Sequence, residues 1–111
     1  MKTVILGIVV GAVALCGGVR YGWAAAPAAQ GVTVEIKSFA FGPAELQVAP
    51  GTTVTWINRD QTVHNIVSGQ GKFASKGMDT DDRYSFTFEQ AGDYSYLCAL
   101  HPHMIGSVHV R

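Results

Sequence analysis

Cysteine is scarce in this chain. There are two in 111 residues, Cys16 and Cys98, too few for the disulfide framework that holds many small secreted domains together. Charge of either sign is scarce as well. Eight Lys and Arg balance eight Asp and Glu, so no basic footprint for nucleic acid is available. Four histidines are too few for a multinuclear metal cluster with other duties left over. No stretch beyond Gln30 carries sustained helical periodicity, an internal repeat or low complexity. The length allows one small domain.

What is present divides at about residue 26. Met1-Lys2 is a short positive start, Thr3 to Val19 is apolar apart from glycines, and Ala24 to Ala29 is rich in small residues. This is the pattern of a secretory signal over residues 1–26, with cleavage after Ala24, Ala26 or Ala28. Pro27 disfavours the middle choice. An uncleaved membrane tether is the alternative, although the apolar run falls short of the roughly 20 residues that span a bilayer. Cys16 raises a lipoprotein reading, which the large Leu15 before it weakens. The remaining domain, 27–111, keeps six Lys/Arg and eight Asp/Glu, a net charge of −2, and the single cysteine Cys98. An exported protein with one cysteine needs that thiol to be buried, reactive or otherwise engaged.

The domain reads as all-β. Val32, Val34 and Ile36 alternate with polar residues, and Phe39 and Phe41 take up the apolar alternation again after Ser38. Leu46 and Val48 form a short strand ended by Pro50-Gly51. Thr52 to Ile57 is β-branched and aromatic. Val63 to Val67 is a further strand-like piece carrying His64. Ser68 to Asp82 is an irregular surface excursion whose acids, Asp79, Asp81 and Asp82, form a solvated face. Alternation returns at Tyr84, Phe86 and Phe88, and again at Tyr94, Tyr96 and Cys98, which should share the core face. Gly106 to Val110 is the last strand. About seven to eight short strands at this spacing argue for a sandwich or barrel.

One stretch stands apart: Cys98-Ala99-Leu100-His101-Pro102-His103-Met104. It sets a thiolate, an imidazole and a thioether three residues apart, and His64 offers a second imidazole. Two His, one Cys and a weak axial Met are the donor set of a type 1 (blue) copper site. Each residue also has an ordinary reading. Met104 can be a gap-filler, Cys98 a small buried hydrophobe, and the histidines loop residues.

The stretches Val34 to Phe41, Pro43 to Leu46, Pro50 to Asp60, and Gly92 to Tyr96 leading into Cys98 resemble the amicyanin branch of the cupredoxin family. The short Cys-x-x-His-x-x-Met spacing is similar to that branch too. The resemblance implies a Greek-key β-sandwich with one copper ion, cycling between Cu(I) and Cu(II), held at one end by His64, Cys98, His101 and Met104. It implies a periplasmic electron carrier, not an enzyme, that serves a cytochrome c or a dehydrogenase and is monomeric. A copper storage or delivery protein is the alternative. Asn65 resembles a residue that ties the first ligand segment to the Cys loop. Two departures stand out: His103 lies where the branch has an aromatic, and Val63 where it usually has Pro. His103 should point away from the metal if Met104 points in, and His109 reads as a surface histidine.

Overall fold

Period-two alternation becomes two buried faces. The computed structural model describes residues 31–111, so the expected signal segment 1–26, its cleavage region 24–28 and Cys16 lie outside the described residues. The strands are β1 (Gly31–Lys37), β2 (Ala40–Gly42), β3 (Glu45–Val48), β4 (Thr52–Asn58), β5 (Val67–Ser68), β6 (Arg83–Phe88), β7 (Gly92–Cys98) and β8 (His101–Val110). They form two four-stranded sheets, ordered β2-β1-β4-β6 and β3-β8-β7-β5. β1 runs parallel to β4 and β3 parallel to β8, while the other pairs are antiparallel. The Greek-key sandwich expected from the sequence is thus the architecture found.

The inward set is the set the alternation marks. Val34 and Ile36 of β1, Val54 and Trp56 of β4, Tyr96 and Cys98 of β7, and Met104, Val108 and Val110 of β8 are all buried. Aromatic rings bind the sheets together. Trp56 stacks near Phe73 and Tyr84 at 5.9 and 5.8 Å and meets Tyr96 edge-on at 5.3 Å. Such pairs add about 0.5–1.5 kcal/mol each beyond the area they bury. Gly106 sits opposite Tyr96 in the β7–β8 register, and a Cβ there would collide with the tyrosine ring.

Four local readings need correction. Val63 to Val67 is not a strand. His64 makes only an isolated bridge to Met78, and β5 begins at Val67. Ser68 to Asp82 is more than a surface excursion, because Phe73 and Met78 drop from it into the core. The last strand starts at His101 rather than Gly106, and Cys98 pairs with His101 across a two-residue turn, Ala99-Leu100. Lastly, Phe39 is not buried with Phe41. Ser38 and Phe39 form the two-residue turn between β1 and β2, with φ of 53° and 58°. Both angles are positive, as a hairpin turn matched to strand twist requires, and Asn-Gly usually fills such a turn. A non-glycine residue held there costs roughly 1–3 kcal/mol.

On the outer face of β8, His109 bridges two carboxylates. Its Nδ1 lies 2.8 Å from Asp93 and its Nε2 3.0 Å from Glu45, and Arg111 also reaches Asp93 at 3.3 Å. The Asp93 hydrogen bond, then that of Glu45, raises the imidazole above its ordinary value, and the same His109 contact lowers Asp93. The histidine's contribution to stability is therefore complete below its unfolded value of about 6.5 and is lost as pH climbs through the raised folded value. The contribution of Asp93 is lost in the opposite direction, as pH falls through its lowered value. Urea unfolding of the parent and of His109→Gln should show their stability difference shrinking as pH rises from about 6 to about 8. A difference that stays constant across that window would overturn the assignment.

Candidate metal centre

The site is built where β7 turns into β8. Alternation along β7 aims Cys98 inward, and its side chain is fully buried. The register shifts between Leu97 and Cys98, and the tight turn then carries His101 back across it. His64 arrives from the loop after β4. It stands beside Cys98 at the same end of the sandwich, not at the opposite end.

The donor atoms converge. Cys98 Sγ is 3.7 Å from His64 Nδ1 and 3.8 Å from His101 Nδ1, and the three donor atoms all lie within 4.8 Å of one another. Trigonal coordination with bonds of about 2.3 Å to sulfur and 2.0 Å to imidazole, the lengths zinc takes, would set each S···N edge at about 3.7 Å. The observed edges fit a single first-row metal ion. Met104 is buried in the same cluster as Cys98, one residue before Ile105, the register partner of Leu97. His103, by contrast, is exposed.

His64 is held from three directions. Its backbone exchanges two hydrogen bonds with Met78, at 3.2 and 2.7 Å. Met78 is itself fixed by the buried Asn58, whose amide donates to the Met78 carbonyl at 2.8 Å and to Thr62 at 2.9 Å. The ring Nε2 contacts Asp60 at 2.8 Å. Burial pushes the Asp60 carboxyl up, but hydrogen bonds from the Phe39 amide, the His64 ring and the Ser38 amide outweigh it and hold the carboxyl below its usual range. An ionised carboxylate only accepts, so Nε2 carries the proton. The lone pair is then left on Nδ1, the atom that faces Cys98. A carboxylate behind a ligating imidazole fixes ring and tautomer in this way at many metal sites.

Asn65 reaches the ligand turn. Its side-chain carbonyl accepts the Ala99 amide at 2.8 Å, which ties the first ligand segment to the ligand turn. Its own backbone N–H points at Cys98 Sγ at 3.5 Å. The exposed large hydrophobics also gather here. Phe39, Val63, Leu100 and Ile105 each adjoin a donor residue in sequence or in contact.

Residues 28–111 match the family model for copper binding proteins of the plastocyanin/azurin family. The chain belongs to that family. It is 45% identical over 95 residues to amicyanin of Paracoccus denitrificans, covering 80% of this chain and 72% of that protein. It is 28% identical over 109 residues to plastocyanin of Nostoc punctiforme, covering 77% and 78%. Among solved structures, a purple cupredoxin from Nitrosopumilus maritimus superposes with a TM-score of 0.66 at 35% identity, covering 72% of this chain and 99% of that one. A Cu(I) amicyanin variant superposes with 0.65 at 40% identity, covering 73% and 82%. Membership makes copper the ion for the donor set described above.

Sequence reasoning named His64, Asn65, Cys98, His101 and Met104, and the structure brings them to one end of the sandwich. It missed Asp60 and Asn58. The four-residue spacing from Asp60 to His64 was a visible signal, but Asn58-Arg59-Asp60 reads first as a turn. Replacing Asn65 by Ala should free the Ala99 amide, so its hydrogen exchange should quicken at least about tenfold. Copper affinity should fall by about 10- to 100-fold, the usual effect of removing an outer-shell partner. An Ala99 amide exchanging at the parent rate would remove this role from Asn65.

Proposed function

We propose that this chain is a type 1 (blue) copper protein that passes single electrons between protein partners in the periplasm. The observation that carries the proposal is the Cys98 sulfur set 3.7 and 3.8 Å from two imidazole nitrogens, with Met104 buried in the same core cluster. Bound copper would supply a one-electron couple. Cys98, His64 and His101 would hold it, and the thioether of Met104, a weak donor, would tune its potential. The protein's share of the work is rigidity. His64 is fixed by Asp60 and Met78, and the turn bearing His101 is fixed through Ala99 by Asn65, so little needs to move when charge changes.

The His101 ring is partly exposed, and Leu100, Pro102 and Ile105 around it are exposed too. This apolar rim suits brief contact with a partner, because it desolvates readily and demands no fixed polar pairing. The ring edge is the electron port in this reading. The partners we assign are a protein electron donor and acceptor, a cytochrome c or a dehydrogenase among them, met by a monomer exported through its 1–26 segment. The amicyanin relatives and the apolar leader of the sequence support that assignment.

Two experiments test the reading. Copper added to the protein should give an intense blue colour from sulfur-to-copper charge transfer. Cys98→Ser should lose that colour while keeping its β-sheet circular dichroism, and an equally blue serine variant would refute the thiolate assignment. Voltammetry tests the role of Met104. Met104→Gln presents a harder oxygen donor, so the potential should fall, and Met104→Leu removes a donor, so it should rise. Parent-like potentials in both variants would take Met104 out of the donor set.

A further inference from the structure

The β1–β2 turn is out of keeping with its sequence. A bulky aromatic occupies a left-handed position that Gly or Asn fills more readily, and nothing about joining β1 to β2 requires Phe39 there. Strain of this kind persists where the surroundings over-determine it. Here the surroundings are the ligand shell. Asp60 accepts the Ser38 amide on one oxygen at 2.7 Å and the Phe39 amide on the other at 2.9 Å. The second oxygen also takes the proton on His64 Nε2. The Phe39 ring, 41% exposed, stands edge-on against both imidazoles, 5.1 Å from His64 and 4.9 Å from His101 at interplanar angles of 88° and 85°.

We propose that Phe39 is a positioning residue for the copper centre: the turn pinned by Asp60 wedges its ring against both ligand imidazoles and holds the partly exposed His101 in its ligating orientation. His64 is already held by Asp60 and Met78. Among the described residues, the polar and ring–ring contacts of the His101 ring are with Cys98, His64 and Phe39. Phe39 is the one of these three that is not a candidate ligand. The inference rests on the copper reading of the site, but one arm of its test does not.

Phe39→Gly separates positioning from folding. Glycine suits the positive φ, so relief of strain should leave stability equal or higher despite the lost ring. The site should loosen nonetheless. NMR relaxation of the His101 ring in metal-free protein should show a markedly less ordered imidazole. Copper release to a chelator should quicken at least about tenfold, in line with outer-shell losses elsewhere. Phe39→Tyr, which keeps the ring, should restore both, and Phe39→Leu should not. If the glycine variant fails to fold, the Leu and Tyr pair decides the matter. Unchanged ring order and release rate in the folded glycine variant, or in the leucine variant, would overturn the proposal. A parent that gives no blue colour with copper would refute the copper reading, while the ring-order measurement would still judge the wedge.

Discussion

One carboxylate organises the metal end of this sandwich. Asp60 accepts hydrogen bonds from the Ser38 amide, the Phe39 amide and the His64 ring, and its backbone carbonyl accepts the Thr80 hydroxyl at 2.6 Å. Three segments far apart in sequence, around 38–39, 60–64 and 80, thereby meet at one residue. A largely buried charge is costly unless it is well paired, so the group enforces its own surroundings. Removing any donor leaves the carboxylate under-satisfied, and that penalty makes the arrangement cooperative. Asn58, two residues earlier, performs the same service for the backbone of the loop, with its side-chain oxygen accepting the Asp60 amide and its side-chain nitrogen reaching Thr62 and Met78.

This division of labour separates site from scaffold. The core is held by apolar and aromatic contacts around Trp56, Phe73, Phe88 and Tyr96, which lack directional demands beyond ring geometry. The ligand shell is held by short polar contacts that fix direction. Cys98 belongs to both, buried in the core on the inward parity of β7 and open at its sulfur to two imidazoles. A thiol placed so deeply is shielded from oxidants and from other thiols, which accounts for Cys98 standing unpaired among the described residues.

The parts of the fold legible in the sequence were those governed by period two. The alternation of β1, β7 and β8 has a clear burial reason, and the ligand spacing in the β7–β8 turn is local, so both were visible. The segment from Asn58 to Met78 was not. Its structure depends on side chains bonding to backbone across long separations, as when Asn58 reaches Met78, and no periodicity encodes that. Phe39 was misassigned for a related reason. Composition pairs Phe39 with Phe41 as one apolar alternation, but the chain reverses at Ser38, so only Phe41 is buried in the core and Phe39 ends on the ligand rings instead. The strand-like composition of Val63 to Val67 failed because His64 and Ile66 are buried by the loop that folds over them rather than by pairing in a sheet.

β8 runs from His101 at the metal end to Val110, the partner of Gly92, at the other. Its partner β7 covers the same pairs, Gly92 to Cys98, in six steps, which at about 3.3 Å each place Val110 about 20 Å from the ligand turn. A tether fixed at Arg111 would therefore leave the His101 edge facing outward, free to meet a dissolved protein. The same tether would be a poor electrical contact, since about 20 Å of protein would separate it from the ligand turn. A sensor built on this scaffold must choose its point of attachment accordingly: the Val110 end of β8 to present the copper to visitors, the apolar rim to wire it to a surface.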